Sequence, residues 1–191
     1  MYPIEYFRKT IERFVDRLQA LKVRFHLTGG IVSVAWGEPR LTQDIDVVVD
    51  RDSLMPHLDV FLKGLHEAGF YVQDEVVRAA IASGRPFQLL DPVECLKLDL
   101  YPRELVAGEL DRSIVTEVFV GAMLPVVSRR DAAVSKLIWI HKGSHKSRQD
   151  LRRLARHLTE EDWEFLRQQA NERRLADLLM EVLEEQDEIQ D

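Results

Sequence analysis

Residues 27–50 read LTGGIVSVAWGEPRLTQDIDVVVD. Asp44 to Asp50 is rich in Ile and Val, which predicts a strand. Alternation along it sends the Asp44 and Asp46 carboxylates to one face, and Ile45, Val47 and Val49 to the other, toward a core. Two carboxylates side by side repel each other. A bound divalent cation removes that cost, and Mg²⁺ prefers such oxygen ligands. Upstream, Val23 to Leu27 predicts a strand ending at Thr28-Gly29-Gly30, and Ile31 to Trp36 a short helix that stops near Gly37 and Pro39. A Gly-Gly turn between strand and helix lets the backbone approach a phosphate closely, and the helix N-terminus behind it favours an anion. A plain tight turn explains Gly29-Gly30 taken alone, and a strand end with solvated acids explains Asp44 and Asp46 taken alone. The combination is far more specific than either part.

Val93 to Tyr101 predicts another strand, with Cys95, Lys97, Asp99 and Tyr101 on one face and Leu96, Leu98 and Leu100 on the other. If it pairs beside the Asp44–Asp50 strand, Asp44, Asp46 and Asp99 converge. Such a triad can hold two metal ions that activate a hydroxyl and neutralise a leaving pyrophosphate. The remaining chain divides simply. Ile4 to Leu21 has apolar residues at helical spacing. Asp52 or Ser53 can cap a helix running to about Ala68, with Gly69 past its end. Phe70 to Arg78, Pro86 to Leu90 and Val115 to Val120 are predicted strands. From Arg130 onward only helices are expected, over 130–141, 148–157, 160–170 and 172–185. The reading is an α/β (α+β) fold with a core over 1–127 and a helical region over 128–191.

Here a family resemblance enters. A strand ending in Gly29-Gly30, a short helix, Arg40-Leu41-Thr42 and then Asp44-Ile45-Asp46 on the next strand looks like the signature of the nucleotidyltransferase (polymerase-β-like) superfamily. Thirteen residues separate Gly30 from Asp44, within what that signature tolerates. The form GG…RLTQDID resembles small bacterial members that include abortive-infection, AbiEii-like toxins. LKLDLYP at 96–102 is similar to the strand carrying the third carboxylate, which makes Asp99 the counterpart. Residues 128–150 are similar to the following helix-loop-helix, with its lysine at Lys136 and its aspartate at Asp150. Relatives often carry an arginine where this chain has Gln149.

The resemblance implies a mixed sheet flanked by helices and a metal-dependent enzyme that moves an NMP group from an NTP to an acceptor hydroxyl. It implies Asp44, Asp46 and Asp99 as catalytic metal ligands for two Mg²⁺, with Mn²⁺ an alternative. Gly29, Gly30, Ser33, Arg40, Thr42, Lys136 and Asp150 become candidate nucleotide-binding residues. Three of them have a plainer reading too: Ser33 as an ordinary helix serine, Arg40 as the partner of Glu38, and Lys136 as a snorkelling side chain. Lys136 is the only ionisable residue among the nine of Ala132 to Ile140, so it needs water or an anion, and phosphate or Asp150 would serve.

Composition narrows the partners. Of 191 residues, 46% are hydrophobic and 31% charged, ordinary for a globular protein. No apolar run is long enough for a bilayer and the N-terminus lacks signal-peptide character, so a cytoplasmic protein without membrane contact is expected. Cys95 is the only cysteine, which leaves neither an internal disulfide nor a cysteine-based zinc site. His141 and His145 stand at helical spacing, but Gly143 and Ser144 between them argue for a loop rather than a metal pair. The net charge of −7 argues against a generally basic nucleic-acid surface. It hides a division, however: residues 129–157 carry nine Lys/Arg against two acids, and residues 159–191 carry twelve acids against three Arg. The basic segment suits an RNA acceptor; solvated faces that partly neutralise each other explain it as well. Three functions stay open: a nucleotidyltransferase with an unknown acceptor, a toxin with an antitoxin partner acting on tRNA, and a nucleotide-binding regulatory module with little chemistry.

Overall fold

The computed structural model describes residues 5–36 and 44–185. They fall into two compact units, 1–127 and 128–191. Among the described residues no helix is long and apolar enough to cross a membrane.

The first unit opens with α1, Glu5–Ala20, followed by β1, Phe25–Thr28, α2, Gly29–Ala35, and β2, Asp44–Val49. Helices α3, Arg51–Leu54, α4, Leu58–Glu67, and α5, Asp74–Ser83, come next. Strands β3, Phe87–Asp91, β4, Leu96–Tyr101, β5, Ile114–Phe119, and β6, Ala122–Val126, complete it. The sheet has six strands in the order β3-β4-β2-β1-β6-β5. It is mixed: β2 runs parallel to β4 and β1 parallel to β6, while the β1–β2, β3–β4 and β5–β6 pairs are antiparallel.

Register turns the apolar alternation of each strand into one continuous surface. Phe87 pairs with Leu100, Leu100 with Val47, Val47 with Leu27, and Leu27 with Val126. All of these are buried. The next row, on the other face of the pleat, runs Gln88, Asp99, Asp46, Thr28. A one-residue slip would exchange the two rows and put the carboxylates in the core, so the hydrophobic row fixes the site's register.

Helix α1 buries Phe7, Ile11, Phe14, Val15 and Leu18, as its helical spacing requires. Phe14 meets Phe61 of α4 and Phe70 edge-on, at centroid separations of 6.3 and 6.2 Å. A buried carboxylate secures this side of the unit: Asp91 accepts from Thr10 Oγ1 at 2.5 Å, from Arg13, and from the backbone N–H groups of Val93 and Glu94.

Two sequence expectations are corrected. Phe70 to Arg78 is not a strand: Tyr71 makes a single bridge to Leu90, and α5 occupies 74–83. Asp74 and Glu75 favour the N-terminal turn, Val77, Ala80 and Ile81 form a buried helical stripe, and Gly84 closes the helix at φ +65°. The helix expected up to Ala68 is also broken, by a 3₁₀ turn at Met55–His57 where Pro56 interrupts the hydrogen-bond ladder.

The second unit is helical, as expected: α6, Arg129–His141, α7, Lys146–Ala155, α8, Glu160–Glu172, and α9, Ala176–Glu184. Ser128 caps α6 by accepting from the Asp131 N–H, and Thr159 with Asp162 forms a capping box on α8. His141 ends α6 and His145 precedes α7, so the two do not share a helix.

Candidate active site

The site on the sheet follows from three short strands. Parallel pairing puts Asp44 opposite Lys97 and Asp46 opposite Asp99. Partners in register share a face, so Asp44, Asp46, Lys97, Asp99 and Tyr101 all stand on one side of β2 and β4. Lys97 Nζ lies 3.3 Å from Asp44 Oδ1 and 2.9 Å from Asp99 Oδ2. The hydrogen bond to Asp99 is the largest cause that raises the lysine above its ordinary pKa, so the ammonium stays charged. Tyr101 donates its hydroxyl to Asp46 Oδ1 at 3.1 Å. Burial, seconded by the Asp46 charge, pushes that phenol above its usual value and keeps it a donor.

Gly29 holds a position that strains any other residue. Its φ is +69°, in the left-handed region, and a Cβ there would come within 2.9 Å of the Asp46 Cβ and 2.7 Å of its Cγ. The glycine expected to admit a phosphate therefore also admits the Asp46 carboxylate. Gly30 is buried at the start of α2, which packs on β1, β2 and β5. Arg40 and Thr42 lie outside the described residues, as does the side chain of Ser33.

Lys136 and Asp150 come together within the second unit. Lys136 on α6 donates to Asp150 Oδ2 on α7 at 2.7 Å, and the two side chains are only 12% and 7% exposed. Of the two anions that the apolar stretch around Lys136 calls for, Asp150 is the one in contact. The charge division along the chain also resolves locally. Arg130 pairs with Glu161, Arg148 with Glu181 and Glu185, and Arg152 with Glu185. Part of the basic segment is thus neutralised by the acidic tail.

From the sequence, Lys97 and Tyr101 are only neighbours of Asp99 on its strand. Their i,i+2 spacing from Asp99 was the available signal; their bonds to Asp44 and Asp46 depend on the β2–β4 register.

The sequence model of the family described as "Nucleotidyl transferase AbiEii toxin, Type IV TA system" matches residues 13–189. The chain belongs to the AbiEii nucleotidyltransferase family. It is an enzyme family of nucleotidyl transfer, within toxin–antitoxin systems. Among solved structures, the chain is similar to that of the antibiotic-resistance factor ANT(2'')-Ia, with a TM-score of 0.58 at 16% identity, over 91% of this chain and 96% of that one. At that identity the likeness shows a shared fold. No curated protein matches the chain.

The carboxylates of this AbiEii member suit a divalent ion by chemistry: three hard oxygen donors on one face, two of them cross-strand partners. Among the described residues, however, no three His, Cys, Asp or Glu side chains are gathered closely enough to hold a metal ion. The cation between Asp44 and Asp99 is the lysine's own.

Proposed function

We propose that this chain transfers an NMP group from an NTP to an acceptor hydroxyl, with Asp44, Asp46 and Asp99 holding Mg²⁺ and pyrophosphate leaving. The observation that carries the reading is the register Asp46–Asp99 beside Asp44, which puts three acids on one face next to an obligatory glycine. A divalent ion bound by them would neutralise charge on the transferring phosphoryl group. The chain's own groups supply the rest. Asp99, with its side chain only 16% exposed, accepts the proton of the attacking hydroxyl. Tyr101 orients Asp46 through its hydrogen bond. The Gly29-Gly30 turn lies against Asp46 and receives the phosphates. A regulatory module with little chemistry would not need all three acids.

The family description supports a toxin with a partner antitoxin; RNA is proposed as the acceptor because the cations of 129–157 that remain exposed, such as Lys142 and Lys146, suit phosphates. The test incubates the protein and Mg²⁺ with each radiolabelled NTP and a cell extract, then separates RNA, protein and small molecules. Label is expected in RNA with one preferred NTP, and none with Asp46→Asn. Label in protein or small molecules would replace RNA as acceptor. No labelled product with any NTP would defeat the transferase reading.

A further inference from the structure

We propose that Lys97 is a built-in counter-cation of the carboxylate cluster: its ammonium holds Asp44 and Asp99 until a divalent ion and a triphosphate arrive together, and then turns from the carboxylates to the phosphates. The inference rests on the metal-dependent reading above and assigns a residue that reading leaves without a role.

Geometry carries it. Lys97 is the register partner of Asp44 and stands two residues before Asp99, so one side chain can reach both acids. It does reach both, at 3.3 and 2.9 Å. A divalent ion held by Asp44 and Asp99 would compete with the ammonium for these carboxylates, because two cations at the same acids repel each other strongly. The lysine is also free to leave. Its side chain is 33% exposed on a flexible four-carbon stem, unlike Lys136, which is buried against Asp150. Its departure is favoured only when another anion takes over its charge, and the triphosphate is the anion that accompanies the metal. Without nucleotide, Lys97 therefore weakens metal binding; with nucleotide, it strengthens the phosphate site. The two ligands become positively coupled through a single side chain.

The test measures Mn²⁺ binding by electron paramagnetic resonance of the free hydrated ion, on folded protein without nucleotide. Wild type is compared with Lys97→Met, which keeps length and loses charge, and Lys97→Arg, which keeps charge. Lys97→Gln repeats the measurement where Met perturbs packing, and thermal melts confirm folding. Lys97→Met is expected to bind Mn²⁺ about tenfold more tightly than wild type, the scale of one half-exposed ion pair. Lys97→Arg should resemble wild type. A non-hydrolysable NTP analogue should enhance Mn²⁺ affinity in wild type and much less in Lys97→Met. Equal or weaker Mn²⁺ binding by the folded Met and Gln variants overturns the proposal. If wild type binds Mn²⁺ and Asp99→Asn abolishes it, that failure concerns Lys97 alone. If neither wild type nor Lys97→Met binds Mn²⁺ even with the analogue, the metal reading falls with it.

Discussion

At the scale of single residues, Gly29 and Lys136 make opposite demands on their surroundings. Gly29 combines a left-handed backbone with a carboxylate where its side chain would be. Gly29→Ala should cost at least about 1–2 kcal/mol from the backbone alone, and it should also push Asp46 off its bond to Tyr101. The expected outcome is a lower melting temperature with loss of nucleotide transfer. A variant with wild-type melting and transfer would show that Asp46 yields easily and that the close fit has no consequence. Lys136 is instead satisfied by Asp150 in a nearly dry setting. Removing one partner of such a pair leaves a buried charge, so Lys136→Ala should lose roughly 3 kcal/mol in urea melts. If Lys136 also serves the nucleotide, calorimetry on the folded variant will show weaker NTP binding as well. Loss of NTP binding without loss of stability would mean that the lysine's energetic partner is phosphate rather than Asp150.

At the scale of elements, the end of α9 gives a sign-definite pH effect. Glu184 and Glu185 crowd the negative end of the helix, an unfavourable place for acids. Arg148 and Arg152 on α7 offset it, and the hydrogen bond from Arg148 holds the Glu185 carboxyl below its ordinary value. A depressed carboxylate stabilises the fold above its unfolded value, about 4.3, and the contribution fades as pH falls through the depressed one. Carboxyl NMR titration should therefore place Glu185 below its ordinary value, and Arg148→Ala should bring it part of the way back, Arg152 still holding it down; an unshifted Glu185 in wild type would refute the pairing. Screening of this partly exposed pair keeps its effect on global stability small. The elements also show what a sequence conveys. Strands β2 and β4 were legible because each alternates cleanly, and their shared face followed. Residues 70–78 were misread because Phe70, Tyr71 and Val72 have strand chemistry, whereas the helical stripe of Val77, Ala80 and Ile81 starts only later. Strand β6, Ala122–Val126, is not among the expected strands, and it carries Pro125, which cannot donate to a ladder. Its place is explained by the sparse β1–β6 pairing, registered only at Leu27 and Val126. The Lys97 and Tyr101 bonds were illegible for a different reason: alternation gives a face, but only the pairing of two strands gives a neighbour.

At the scale of the whole molecule, the net charge of −7 disguises a protein whose opposite charges are sorted along the chain. Sorting does not by itself make a nucleic-acid surface, because arginines of α6 and α7 meet glutamates of α8 and α9 within the same unit. What the first unit would offer a nucleotide under the proposed function is instead local: acids on the sheet, a glycine turn beside them, and a lysine held by those acids. Under the proposed function the pairs of Lys97 with Asp44 and Asp99 are re-partnered when metal and triphosphate bind, so the two ligands should act together rather than singly. Differential melting tests this on the intact chain. A ligand that binds only the native state at about 100 times its dissociation constant adds roughly 2.7 kcal/mol of stability. Saturating Mg²⁺ with the preferred NTP should therefore raise the melting temperature by several degrees, and Mg²⁺ alone by much less. Asp46→Asn should abolish the joint shift while leaving the ligand-free melt near wild type, because its neighbour Tyr101 can still donate to an amide oxygen. If Mg²⁺ alone gives the full shift, the cluster takes its metal without the triphosphate and the re-partnering argument is wrong; if no NTP with Mg²⁺ moves the melt, the pocket does not bind nucleotide.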